Sequence, residues 1–291
     1  MISPNFYDDL HWLASRYADR PDIVQDAGGN ISVKVDSDVM LIKASGRRFG
    51  DIDGKGRGLV PVFHKRLGEY LLSEDAQNES EDAHLGAILS CTDQHAPNDR
   101  PSMEVWFHTL LSPYVLHTHS AYVNVLACAH EGSDVFRKIM EDAGVSYIIL
   151  PYHNPGFELG AALSKELGAH KRVPTVILLE NHGIIVHGDT ARECADIHDL
   201  VEEKIKSELG IADTAFAMHD LNNKEANEFD AVVLFPDQVI YPKSRAVRAA
   251  HRFILAHIRD RGFKVRTIKN EDVEVIAGME SEQHRKNLQK N

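Results

Sequence analysis

Leu10, Leu13 and Tyr17 recur at helical spacing along 5–19, and Pro21 closes the run, which predicts an N-terminal helix. The period then changes. Residues 31–35 alternate apolar and polar, 36–38 turn and 39–43 return, so a hairpin follows directly on the Gly28, Gly29, Asn30 turn. Residues 60–72 read as a helix, whereas 73–84, SEDAQNESEDAH, is polar enough to predict a surface loop or insertion. Pro101 and Ser102 mark the start of a helix over 101–111. Next come a short strand at 114–119, a helix at 120–130 and a strand at 145–152. A helix at 157–168 repeats Leu159, Leu163 and Leu167.

The continuous apolar run 173–180 has the character of a buried central strand, interrupted by Asn181, His182 and Gly183 before the apolar pattern resumes. Thr190 and Glu193 then form a capping box that opens a helix. From about residue 225 the pattern predicts a strand at 230–235, a helix at 244–262, a strand at 263–268 and a charged final helix. The chain therefore divides into a main domain, 1–224, and an α/β extension, 225–291.

With 291 residues, 43% of them hydrophobic, the chain has the material for a sizeable core. No window approaches the roughly 18 to 20 uninterrupted apolar residues of a membrane span, and the N-terminus lacks a basic-then-apolar leader. A cytoplasmic location without membrane contact is the expectation. A net charge of -12 argues against a general nucleic-acid binder, which must neutralise phosphates, but leaves room for a small anion held by local donors. Cys91, Cys128 and Cys194 are an odd, widely spaced set that suggests neither a disulfide framework nor a thiolate zinc site.

His117 and His119 lie two apart at a strand end, so both imidazoles face one side of the sheet, the geometry of paired metal ligands. Among 17 histidines, the pair alone is equally well read as two polar residues at a strand end. His182, beside a glycine in a tight turn after a buried strand, and Glu104, on a helix upstream, extend the set. Three neutral imidazoles with a carboxylate make an open, catalytic type of zinc site. His108, four residues after Glu104, reads as a helix-face partner, and His187 and His198 as surface or satisfied core groups. The chain has no G-x-S-x-G, phosphate-loop, H-E-x-x-H or dinucleotide fingerprint. The turns at 28–30 and 44–46 bracket the hairpin; their amides, Asn30, Ser45 and Ser102 are a candidate anion cradle, or two ordinary turns.

Taken in order, GGNISVK, IKASG, PSMEVWFH, HTHSAYVNVL and ENHGIIVHGDTARE resemble the class II aldolase/adducin family over about residues 10 to 210. Within it they look most like the aldolase half of bifunctional rhamnulose-phosphate aldolase/dehydrogenase proteins. The resemblance implies a three-layer α/β/α sandwich with a mostly antiparallel central sheet. It implies one Zn2+ or another divalent cation per chain on His117, His119 and His182, with Glu104 as fourth ligand or acid/base. Substrate phosphate would fall to Asn30, Ser45, Gly46 and Ser102, although Met103 replaces a second serine of the fuculose-phosphate enzymes. The implied reaction is retro-aldol cleavage of a ketose 1-phosphate through a metal-chelated enediolate. Epimerisation or dehydration of a sugar phosphate and a non-catalytic adducin-like module are the alternatives. The implied assembly is a homotetramer, with a tyrosine lent by a neighbour for which Tyr147 and Tyr152 are candidates.

Overall fold

In the computed structural model, residues 2–93, 99–212, 215–218 and 222–279 are described. Helix α1 (Pro4–Tyr17) leads into β1 (Asn30–Lys34), β2 (Val39–Lys43) and β3 (Leu59–Phe63), then α2 (His64–Leu71) and α3 (Glu81–Ser90). The middle of the chain supplies α4 (Val105–Leu110), β4 (Tyr114–Thr118), α5 (Ala121–Ala127), α6 (Gly132–Ala143) and β5 (Tyr147–Leu150). It continues through α7 (Phe157–Leu167), β6 (Val176–Leu179), β7 (Gly183–Gly188) and α8 (Ala191–Leu209). Four further helices follow: α9 (Asn223–Ala231), α10 (Pro236–Ile240), α11 (Arg245–Asp260) and α12 (Asn270–Gly278).

The strands form one seven-stranded sheet in the order β3-β2-β1-β4-β7-β6-β5. Every pairing is antiparallel except β5 with β6, which α7 joins by a crossover. Alternation along the strands splits the core between the two faces. Leu116, Leu178, Ile184 and Val186 pack with α1, α5, α6 and α8 on one side. Val115, Ile177, Leu179 and Ile185 pack with Phe107, Leu159 and Leu163 of α4 and α7 on the other. Beside these last, Met40, Ile42, Val60 and Val62 meet Leu67, Ile88 and Trp106. The expected three-layer α/β/α sandwich with a mostly antiparallel sheet is thus the observed architecture. Among the described residues no helix is long and apolar enough to cross a membrane.

Four local expectations are corrected. The helix expected at 60–72 begins only at His64, because Leu59–Phe63 pairs with β2 as β3. The acidic stretch is not all loop. Ser80 accepts a bond from the Ala83 amide and Glu81 and Asp82 sit in the first turn, so the carboxylates favour a helix N-terminus there. The helix expected from Pro101 starts at Val105, since Pro101 bridges Ala44 and the Ser102 amide bonds the Lys43 carbonyl, which holds this stretch extended beside the end of β2.

The C-terminal segment is helical rather than α/β among the described residues. A capping box of Asn222 and Glu225 carries α9 through Ala231 into the strand expected at 230–235, and 263–268 makes only an isolated bridge, Val265 with Ala129. The apolarity that imitated strands there is burial: Leu234 and Phe235 are enclosed, and α11 packs on α5. The end of the expected charged tail, 280–291, lies outside the described residues.

Candidate functional site

Strand pairing assembles the histidines. In the β4–β7 ladder Thr118 faces Ile184 and His117 faces Ile185, so His119, one residue beyond β4, comes level with the turn that carries His182. Ser120 ends the strand by capping α5 through the Val123 amide. Glu104 arrives from the other side at the N-cap of α4, without using its side chain as the cap. Glu104, His117, His119 and His182 are all buried, and their ligand atoms lie within 4.8 Å of one another. The four residues expected at the metal are therefore brought together.

Hydrogen bonds fix which nitrogens face inward. His117 Nδ1 donates to the Ile184 carbonyl at 2.9 Å, and His119 Nδ1 donates to the Asp237 carboxylate at 2.6 Å. Each ring therefore turns a lone pair on Nε2 toward the other, and the two nitrogens are 3.0 Å apart. Two facing lone pairs at that separation repel unless a positive charge is shared between them. Glu104 Oε1 lies 3.3 Å from His182 Nε2 and 3.7 Å from His117 Nε2 and is buried without a hydrogen-bond donor. A divalent cation satisfies the facing nitrogens and the orphaned oxygen at once, so the cluster is able to hold a metal.

The electrostatics agree. Burial alone would raise the Glu104 carboxyl, but His117, His182 and His119 outweigh it and hold it well below the usual carboxylate range. Burial drives His117 well below an ordinary imidazole despite Glu104, leaving it neutral and ready to ligate. Asn30 orients the carboxylate: its Nδ2 donates to Glu104 Oε2 at 2.7 Å and to Ser102 Oγ at 3.4 Å, while its Oδ1 accepts from His108 Nε2.

Of the anion candidates, Ser102 Oγ also accepts from the Glu104 amide, which leaves its own proton for a ligand. The Ser45–Gly46 turn, with Gly46 at φ 75, lies beside it because the Ser45 amide bonds the Arg100 carbonyl. Buried Lys43 draws the turns together, its Nζ donating to the Ala27 carbonyl at 3.1 Å and the Arg47 carbonyl at 2.6 Å. Asn30 is close to Ser102 but its amide is engaged within the chain. Tyr147 and Tyr152 donate to Glu141 and Asn154 respectively.

His108 is a core group rather than a helix-face partner. Its Nδ1 accepts from Ser32 Oγ at 2.7 Å, and burial pushes its pKa down to about 3. The folded state thus binds fewer protons there than the unfolded chain, whose imidazole titrates near 6.5. The stability is present above pH 6.5 and drains as pH falls from there toward 3. A His108→Gln variant is expected to lose about 1 kcal/mol less than wild type between pH 6.5 and 5.5, because the unfolded imidazole is only half protonated at the upper end, read by urea unfolding at each pH. His198 is likewise internal, bonded to Thr118 Oγ1, and His187 bonds the Pro174 carbonyl. Burial pushes the Cys128 thiol up, which leaves it protonated and inert.

Sequence reasoning missed Asp237 and Lys43. Nothing in a motif marks an aspartate 118 residues from its histidine, and a lysine in a strand reads as a solvent-facing group.

Comparisons with known proteins give the family and the fold. The chain is 29% identical over 197 residues to 3-oxo-tetronate 4-phosphate decarboxylase of Pectobacterium atrosepticum, covering 62% of this chain and 73% of that protein. It is 27% identical over 177 residues to the uncharacterized oxidoreductase YuxG of Bacillus subtilis, 57% of this chain but only 24% of that longer protein. The fold matches the N-terminal class II aldolase domain of a conserved protein from Thermoplasma acidophilum, with TM-score 0.59 and 24% identity over 69% of this chain and 92% of that one. Residues 12–209 match the class II aldolase and adducin N-terminal domain, and the chain belongs to that family.

Proposed function

We propose that the chain is a zinc-dependent carbon-carbon lyase acting on a small phosphorylated sugar or sugar acid. The observation that carries this reading is the buried Glu104 oxygen among three inward-facing imidazoles. His117, His119 and His182 would hold the zinc ion, which when bound would supply Lewis-acid stabilisation of an oxyanion on the substrate. Glu104, steadied by Asn30, is placed to carry the proton. In retro-aldol cleavage it takes the proton of the hydroxyl β to the substrate carbonyl. That oxygen closes to an aldehyde, the carbon-carbon bond breaks, and the electron pair stays on the carbon beside the carbonyl until protonated. Ser45, Gly46 and Ser102, with Asn30 behind them, form the phosphate side of the site. The resemblance adds a homotetramer with sites completed by neighbours, for which a tetrameric sedimentation coefficient is the expected result.

A second reading is favoured by the decarboxylase relative. In a 3-oxo sugar acid the bond to the carboxylate breaks instead, carbon dioxide departs, and the same carbon takes up a proton. The two reactions place charge identically and differ in the leaving fragment. The test is to load the protein with one equivalent of zinc and offer ketose 1-phosphates and 3-oxo sugar acid phosphates in parallel, reading aldehyde and carbon dioxide separately. Aldehyde release supports the aldolase, carbon dioxide release the decarboxylase. Failure to retain any metal after dialysis against zinc removes both.

A further inference from the structure

The matched family region ends at residue 209, yet Asp237 reaches the metal cluster from the helical segment beyond it. Asp237 is wholly buried at the start of α10, and its Oδ2 lies 2.6 Å from His119 Nδ1. Gln238 locks this short helix in place: its Oε1 accepts from the Leu234 amide at 3.0 Å and its Nε2 donates to the Phe229 and Val232 carbonyls. The same segment also grips the turn of the third histidine. Asn181, at φ 54 immediately before His182, donates to the Leu234 carbonyl at 2.8 Å and the Arg266 carbonyl at 2.9 Å.

We infer that residues 234–237 are a built-in positioning device for the metal centre, in which Asp237 is the positioning residue that fixes the ring and tautomer of His119. The inference rests on the metal-site reading above. A carboxylate on Nδ1 keeps the proton there and leaves Nε2 as the only lone pair, aimed at His117 and Glu104. Without it the imidazole is free to rotate or to change tautomer, and a ligand is lost for part of the time.

The first loop is shaped around the same bond. A Cβ on Gly28 would lie 2.3 Å from Asp237 Oδ2 and 2.8 Å from His119 Nδ1, so the absence of a side chain at 28 is what lets aspartate and histidine meet. Three segments distant in sequence therefore converge on one hydrogen bond. The helical addition is in this sense part of the site and not an appendage.

The experiment measures zinc affinity of the full chain by competition with a chromogenic chelator, and the visible spectrum of the cobalt-substituted protein, for wild type, Asp237→Asn and Gly28→Ala. Asp237→Asn preserves shape and removes the charge; Gly28→Ala wedges the bond apart while leaving the carboxylate. The melting of each metal-stripped protein reports separately on folding, and a variant that does not fold leaves the other to decide. The expected result is a roughly 10- to 100-fold loss of zinc affinity. An altered cobalt spectrum should accompany it, with stripped proteins that melt close to wild type. Wild-type affinity and spectrum in a folded variant would overturn the inference while leaving the metal site standing. A wild type that retains no metal would overturn both.

Discussion

A Glu104→Gln variant is expected to fold, to keep the three histidines in place and to lose about three orders of magnitude in turnover, within the range general acid/base groups supply. The exchange is close to isosteric, and a glutamine carbonyl can still accept from Asn30 Nδ2, now 2.7 Å from Glu104 Oε2. The other half of the amide then faces His182 and His117, where Glu104 Oε1 stands 3.3 and 3.7 Å away. An NH2 group there can neither accept a proton nor hold a negative charge against the imidazoles. Packing is thus preserved and proton transfer is not. The measurement is kcat in whichever assay the wild type performs, aldehyde or carbon dioxide release, with metal content and unfolding of the variant recorded beside it. Full turnover in a folded, metal-loaded Glu104→Gln protein would remove Glu104 from the chemistry and move the search to another proton carrier.

The part of this centre that was legible in the sequence is the part written locally. His117 and His119 are two apart on one strand, His182 sits beside a glycine in a turn, and Glu104 follows a proline-serine start; each pattern has a geometry attached to it. What remained hidden depends on long-range packing. Asp237 occupies a segment whose apolar neighbours Val232, Val233 and Leu234 resemble a strand only because they are buried against helices, Leu234 and Phe235 almost completely. The apolar run was real as hydrophobicity and false as structure: the helix capped by Asn222 and Glu225 takes up residues 230 and 231, and 232–234 cross to α10 without pairing to a strand. The acidic stretch failed in the opposite sense: its charge suggested solvent, while Ser80, Glu81 and Asp82 are what a helix start requires. Lys43 was invisible because the carbonyls that hold its ammonium group belong to two turns, not to a motif.

Gly183→Ala is expected to destabilise the fold by about 3 kcal/mol and to reduce retained metal well below one per chain. The glycine follows His182 and opens β7, directly against the end of β4. A Cβ there would lie 2.2 Å from the Thr118 carbonyl oxygen, 3.2 Å from its carbon and 3.3 Å from the His119 Cα. All three are backbone atoms of the strand end that carries two of the ligands, so no rotamer can relieve the clash. The sheet would have to open where Thr118 pairs with Ile184, in its centre and not at an edge. Opening it carries His119 away from His182, which is why stability and metal retention fall together. Gly86, within α3, gives the contrast: a Cβ there meets nothing within 4 Å, and alanine should stabilise by up to about 1 kcal/mol through helix propensity. Urea unfolding of both variants, with zinc per chain measured after dialysis, separates the two cases. A Gly183→Ala protein with wild-type stability and a full equivalent of zinc would mean that β4 and β7 can part without disturbing the ligands, contrary to the close approach that brings them together.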